Sequence, residues 1–205
     1  MPKFLLATSN PGKIREYRLL LDDLGYKITT LAEERIAKVV TESGNNYEQN
    51  ARLKAVTYAR LSQLTALADD SGLEADALNG EPGVKSARFA GEAATDAERV
   101  SLLLAKLNGV PWERRTARFK CLIAIATPEG QCQTCSGECP GMIALETKGE
   151  NGFGYDPIFF LPEIGKTLAE LPLEMKNQIS HRARASQKAR QILQQLQIQP
   201  VRQII

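Results

Sequence analysis

The sequence predicts an α/β protein built around a mixed β-sheet, and three observations carry that prediction. Short apolar runs alternate with segments of helical period through the first half of the chain. Two long β-type segments, Ala117 to Thr127 and Gln131 to Glu138, meet at Pro128-Glu129-Gly130 as a hairpin, so antiparallel pairing joins the β-α-β units. The 205 residues are 43% hydrophobic and 24% charged, which suits one folded domain with a sizeable core and argues against disorder.

Phe4-Leu5-Leu6-Ala7 is a short apolar run that predicts a buried strand, broken at Ser9-Asn10-Pro11-Gly12. Ile14, Tyr17, Leu20, Leu21 and Leu24 then recur at helix spacing, with Gly25 as the stop. Lys27 to Thr30 reads as a second strand. Asn45 with Glu48 three residues on predicts a variant capping box opening a helix through Leu61. Ala66-Leu67-Ala68 predicts a short strand ending at Asp69-Asp70. Turn formers from Leu78 to Gly91 predict a loop. Thr95 and Glu98 form another capping box, starting a helix with Val100, Leu103, Leu104 and Leu107 on its core side. Gly149 to Pro157 is a glycine-rich loop. Ser180 caps a last helix whose buried stripe is Ala185, Ala189, Ile192, Leu193 and Leu196.

Composition removes several functions. With 26 basic and 24 acidic residues the net charge is +2, so no large basic footprint is available and a stable nucleic acid partner is not expected. The apolar start of the chain is too short for a signal-peptide core, and no apolar run reaches the length of a membrane span. The expectation is a cytoplasmic protein without a membrane partner. Cys132-x-x-Cys135 with Cys139 has the look of a metal knuckle, but no second paired motif accompanies it and His181 is the sole histidine. Small thiols packed in a β-segment, together with Cys121, are the favoured account.

Five groups of residues could carry chemistry. Thr8-Ser9-Asn10-Pro11-Gly12-Lys13 lies between a strand and a helix, where backbone N–H groups, hydroxyls and a lysine suit phosphate oxygens. It lacks the Walker spacing, and taken alone it could be a capped turn. Asp69-Asp70-Ser71-Gly72 joins two carboxylates that repel in a dry site unless a cation or proton offsets them. Magnesium is suited to that role, and a carboxylate there could also take a proton from water. Glu42-x-Gly44 precedes a helix on which Asn50 and Lys54, four apart, share a face beside Ala51 and Ala55. Gly152-Phe153-Gly154-Tyr155-Asp156-Pro157 offers a ring to stack on and a polar reader for a base. Lys176 is followed by Ser180-His181-Arg182 at a helix start, where Arg182 and His181 could donate to a keto oxygen or a phosphate. Each group also has a purely structural explanation, as a turn, a solvated face or a cap.

Taken together, the segments resemble the inosine triphosphatase family. The strings that carry the resemblance are Ala7 to Lys13, Asn50-Ala51-Arg52-Leu53-Lys54-Ala55, Asp69-Asp70-Ser71-Gly72-Leu73, Pro82 to Arg88, Gly152 to Pro157 and Ser180-His181-Arg182. They occur in the family's order from Leu6 to about Ala185. The resemblance implies an elongated two-lobed α/β fold, 1–205 as a single domain, with a central curved mixed sheet flanked by helices, a cleft between the lobes, and usually a homodimer. It implies hydrolysis of noncanonical purine nucleoside triphosphates (dITP/ITP and XTP/dXTP) to the monophosphate and pyrophosphate, which cleanses the nucleotide pool, with Mg2+ as cofactor.

Carried onto this chain, the resemblance puts Thr8, Ser9, Asn10, Pro11, Gly12, Lys13, Lys54 and Ser71 around the triphosphate. Asp70 corresponds to the catalytic carboxylate, and Glu42 and Asp70 to the magnesium ligands. Phe153, Gly154, Tyr155, Asp156, Lys176, His181 and Arg182 correspond to nucleotide and base contacts. Serine stands at position 9 where many relatives carry glycine. Rival readings are a pyrophosphatase for other modified nucleotides, a nucleotide-binding module without turnover, and a small structural metal protein built on the cysteines.

Overall fold

The computed structural model describes residues 1–198. In chain order its elements are β1 (Lys3–Leu6), α1 (Pro11–Leu20), β2 (Lys27–Thr30), α2 (Tyr47–Ser62), β3 (Thr65–Ala75), α3 (Asp96–Lys106), β4 (Thr116–Ala126), β5 (Cys132–Ile143), β6 (Phe159–Leu161), β7 (Lys166–Thr167), α4 (Leu173–Ile179) and α5 (His181–Ile198). The strands form a seven-stranded sheet in the order β2-β1-β3-β4-β5-β6-β7. β1 runs parallel to β2 and β3, whereas β6 runs antiparallel to β5 and β7, so the sheet is mixed as the hairpin predicts.

The chain divides into two compact units. The first comprises Met1–Asp70, Leu122–Ser136 and 185–198; the second comprises Ser71–Cys121 and Gly137–Arg184.

In the first unit, Asn10 starts α1 because its side chain accepts from the Lys13 amide and Pro11 supplies a preset φ at the first helical position. The regular helix ends at Leu20, short of the predicted Gly25. A 3-10 turn over Asp22–Leu24 carries the chain to Gly25, which takes the left-handed conformation. α2 is capped one residue later than predicted. Asn46 accepts from the Gln49 amide, and the Gln49 side chain accepts from Asn45. Ala51, Ala55 and Ala59 of α2 lie buried with Ala66 and Ala68 of β3 and Ala124 and Ala126 of β4. Methyl groups on both surfaces let the helix backbone approach the sheet closely, which brings polar side chains of α2 within reach of β3.

β3 does not end at the acidic pair as predicted; it continues through Ala75, leaving Asp69 and Asp70 mid-strand. Its pairing with β1 nevertheless ends at Leu67, so both carboxylates lie past the end of that parallel pair. That is where an α/β sheet leaves backbone uncovered for ligands.

The second unit has its own core, containing Leu73, Leu103, Leu107, Phe119, Ile143, Ile158, Phe159 and Leu168. The Thr95–Glu98 capping box starts α3 as predicted, with Val100 and Leu103 buried. The predicted loop from Leu78 to Gly91 contains a 3-10 turn over Gly83–Arg88, and another over Asp76–Leu78 adjoins it. β5 runs past the predicted end at Glu138, because Met142 and Ile143 pair with Phe160 and Phe159 of β6. Arg115 is 4% exposed and donates to the carbonyls of Leu107, Ile143 and Ala144, tying the end of α3 to the end of β5.

Ser180 caps α5, accepting from the Ala183 amide at 3.2 Å. Ala185, Ala189 and Leu193 are buried along α5, while Ile192 and Leu196 are only partly so. Among the described residues, no helix is long and apolar enough to cross a membrane.

Candidate active site

The site residues assigned from sequence fall into two sets, one in each unit. In the first unit, the turn after β1 is organised by its own side chains. Thr8 Oγ1 accepts from the Asn10 amide at 3.2 Å, and Asn10 Oδ1 from the Lys13 amide at 3.1 Å. Ser9, Asn10 and Pro11 are exposed, Gly12 is buried and Thr8 and Lys13 are partly covered. From the first turn of α1, Lys13 Nζ reaches Asp69 Oδ2 at 2.9 Å.

Lys54 arrives from α2. Its Nζ lies 2.5 Å from Glu42 Oε1 and donates to the Asp69 carbonyl at 2.7 Å. Burial works against the ammonium charge, but Glu42, Asp69 and Asp70 together outweigh it and raise the Lys54 pKa. Lys54 is therefore held charged.

Asp70 is 5% exposed, and its Oδ2 accepts from Asn50 Nδ2 at 2.9 Å. Burial pushes its carboxyl above the ordinary value. Lys54 opposes that shift, Glu42 adds to it, and the Asn50 hydrogen bond and Lys13 oppose it. The first unit thus brings Lys13, Glu42, Lys54 and Asp70 into one network of ammonium groups and carboxylates. Such a network can neutralise phosphate oxygens while keeping a desolvated carboxylate ready for a proton or a cation. Two carboxylates of hard oxygen donors, one pressing the other toward protonation, are chemically matched to a divalent ion that would relieve their repulsion.

In the second unit, Asp156 and Lys176 form a buried pair, Nζ to Oδ2 at 2.5 Å, with both side chains 3% exposed. The same carboxylate oxygen accepts from the Phe153 amide at 2.9 Å, closing the loop around Asp156. Gly152 is required there: its φ is +77°, and an added Cβ would come within 2.0 Å of that oxygen. Half-buried Phe153 has the Lys176 ammonium 4.8 Å and the Arg182 guanidinium 5.6 Å from its ring centre. Both distances suit cation–π attraction, which also leaves a ring and two cations clustered.

Arg182, 1% exposed, donates from Nη2 to Ser71 Oγ at 3.0 Å. His181 stacks on Phe119, ring centres 4.6 Å apart and 12° from parallel. Gly154 donates its amide to Asp96 at 2.6 Å. Tyr155 is turned inward: it is 4% exposed, and its hydroxyl donates to the Ser86 carbonyl at 2.9 Å. Desolvation holds that phenol well above its usual pKa. Tyr155 and Asp156 anchor the loop that presents Phe153.

Two residues lie outside the set assigned from sequence. Asp69 engages Lys13, and fully buried Asn50 engages Asp70. The signals for them were adjacency to Asp70 and the four-residue spacing to Lys54.

The cysteines take no part in the network. Cys121 and Cys139 are buried, and Cys135 donates to the Ala185 carbonyl at 3.5 Å. Burial raises the Cys135 thiol to about 11 and also raises those of Cys132 and Cys139, which disfavours their thiolates. Among the described residues, no group of three or more His, Cys, Asp or Glu side chains is placed to hold a metal. A two-carboxylate site completed by substrate phosphates is smaller than such a group.

Comparison with known proteins adds independent findings. The model of the Ham1 family matches residues 4–192. A dITP/XTP pyrophosphatase of Desulforamulus reducens is 51% identical over 196 residues, covering 96% of this chain and 98% of that protein. One from Bacillus subtilis is 43% identical, covering 95% and 98%. The structure of a HAM1 protein from Coxiella burnetii superposes with a TM-score of 0.86 at 41% identity, covering 95% of this chain and 100% of the other. That of a nucleoside-triphosphatase, or dITP/XTP pyrophosphatase, from Mycobacterium abscessus does so with a TM-score of 0.72 at 42% identity, covering 91% and 97%.

Proposed function

The chain belongs to the Ham1 family, and from that premise we propose that it is a nucleoside triphosphate pyrophosphatase acting on dITP/ITP and XTP/dXTP. The products are the nucleoside monophosphate and pyrophosphate, so the enzyme removes noncanonical purines from the nucleotide pool. The observation that carries this reading is the first unit's network, in which Lys13 meets Asp69, Lys54 meets Glu42, and desolvated Asp70 lies within its field. Hydrolysis at a phosphoryl group is chiefly positioning of water and neutralisation of developing charge, and those residue types supply both.

In this reading Lys13, Lys54 and the turn from Thr8 bind triphosphate oxygens. Glu42 and Asp70 would hold Mg2+, which when bound supplies positive charge at the phosphates and acidifies water. Asp70, with its raised pKa, is suited to take the proton of the attacking water, and its ionised form is kept accessible by Lys54, Asn50 and Lys13.

In this reading Phe153, Lys176, His181 and Arg182 contact the base. Phe153 offers a stacking face, and Arg182, Lys176 and His181 are donors suited to the 6-oxo group of hypoxanthine or xanthine. Adenine carries an amino donor there, and facing donor with donor in a dry site is costly, which favours rejection of ATP. The cytoplasmic setting and the homodimer belong to the same proposal, and sedimentation at micromolar concentration tests the dimer.

Pyrophosphate release from ITP, XTP, dITP, GTP and ATP, each with and without Mg2+, tests the function. The expected result is magnesium-dependent release from the first three with GTP and ATP nearly inert. Silence on all five would refute the proposed reaction.

A further inference from the structure

α2 carries Asn50, Lys54 and Tyr58 at intervals of four, so the three side chains form one stripe. The extended segment before the helix is laced to that stripe in reverse order. Tyr58 Oη donates to the Lys38 carbonyl at 3.0 Å and accepts from the Val40 amide at 3.2 Å. Lys54 meets Glu42, and Asn50 Oδ1 accepts from the Gly44 amide at 2.8 Å. The other end of the Asn50 amide donates to Asp70 Oδ2.

We propose that Asn50 is a positioning residue for the reaction: its buried amide ties the segment carrying Glu42 to the strand carrying Asp70, and so sets the separation of the two carboxylates. Three features support this. Asn50 is 0% exposed, so water does not replace either bond. The Gly44 N–H can only donate, which fixes Oδ1 toward it and Nδ2 toward Asp70; a flipped amide would face donor with donor. Position 44 also has to be glycine, because a Cβ there would lie 2.7 Å from Asn50 Oδ1 and 2.7 Å from the Gln49 Cβ. The Glu42-x-Gly44 and Asn50-x-x-x-Lys54 spacings are thereby two halves of one brace. By bonding Oδ2 of Asp70, the brace also orients the carboxylate.

The inference rests on the pyrophosphatase reading, and its test separates the two. Asn50→Leu removes both bonds at similar volume, and Gly44→Ala displaces the amide from the other side. Both variants and their combination are assayed with dITP and Mg2+, and amide hydrogen exchange at residues 38–46 is followed without nucleotide or metal. Loss of a partner that orients a metal-binding carboxylate costs roughly 10- to 100-fold. We expect kcat to fall by about that factor in each single variant, with KM changed less than about threefold. Exchange at Gly44 should accelerate, and the double variant should be no worse than the more impaired single one, because both changes break the same brace.

A kcat within about threefold of wild type in folded Asn50→Leu or Gly44→Ala would overturn the proposal. So would unchanged exchange at Gly44, or losses that multiply in the double variant. If Asn50→Leu does not fold, Gly44→Ala decides the matter alone. Wild type inactive on every nucleotide would refute the reaction, while exchange at Gly44 would still report on the brace.

Discussion

Replacing Asp156 with asparagine keeps a side-chain acceptor for the Phe153 amide but strips the Lys176 ammonium of its carboxylate, at a place where both side chains are 3% exposed. The Coulomb attraction of a buried pair offsets a large desolvation cost, so removing one partner leaves that cost standing, typically about 3–5 kcal/mol. For a protein of this length each kcal/mol moves the melting temperature by roughly 2–4 °C, so Asp156→Asn should lower Tm by about 6–20 °C. An exposed pair serves as contrast. Asp23, 70% exposed beside Arg190, should lower Tm far less when changed to asparagine. Thermal unfolding followed by circular dichroism at pH 7.5 measures both. Adding Lys176→Met to Asp156→Asn should recover much of the loss, since it removes the charge that lost its carboxylate. A Tm drop under about 2 °C, or a double variant no more stable than Asp156→Asn, would refute the argument.

Asp70→Asn should lower kcat by at least about 100-fold while the fold survives, checked by pyrophosphate release and circular dichroism. Because burial raises the Asp70 pKa, its protonated form stabilises the fold below the unfolded value, and that stability is lost as pH rises through the folded value. In EDTA the asparagine variant should therefore melt higher than wild type at pH 8, with the gap closing as pH falls. A constant gap would contradict the assigned shift. Lys13→Ala should reduce kcat/KM for dITP by roughly 10-fold or more, through lost contact to the triphosphate. Unchanged efficiency would reject that contact. Phe153→Ala should raise KM for dITP, because stacking of a base on an aromatic ring is worth roughly 1–3 kcal/mol. An unaltered KM in a folded variant would remove Phe153 from base recognition.

The elements most readily read from the chain were those that announce themselves locally. The Thr95–Glu98 capping box, the Ser180 cap and the turn at Pro128-Glu129-Gly130 each depend on bonds within a few residues. The misplacements differ in cause, local for α2 and nonlocal for the strands. α2 starts at Asn46 because Asn46 and Gln49 exchange bonds with their neighbours, a choice that Asn45 and Glu48 imitate in type and spacing. β3 runs through Asp69 and Asp70 because the strand order sets β4 along its other edge, although two adjacent carboxylates read locally as a terminus. β6 and β7 are three and two residues long, and exist only through their partners.

For the site, residue types and motif order were enough to name Lys13, Glu42, Lys54 and Asp70 together, and separately Phe153, Asp156, Lys176, His181 and Arg182. Helical period also placed Asn50 and Lys54 on one face. What the sequence by itself determined was the α/β class, the caps and the chemistry available, because propensity, spacing and donor type are local properties. The tertiary structure alone decided that Asn50 links Gly44 to Asp70 and that Tyr155 anchors rather than presents the loop. It alone decided that Asp70 is driven above its ordinary pKa. Those outcomes depend on desolvation and on bonds between residues far apart in the chain: for Asn50 and Asp70 where the alanine faces of α2 and the sheet close on one another, and for Tyr155 in the second unit's own core.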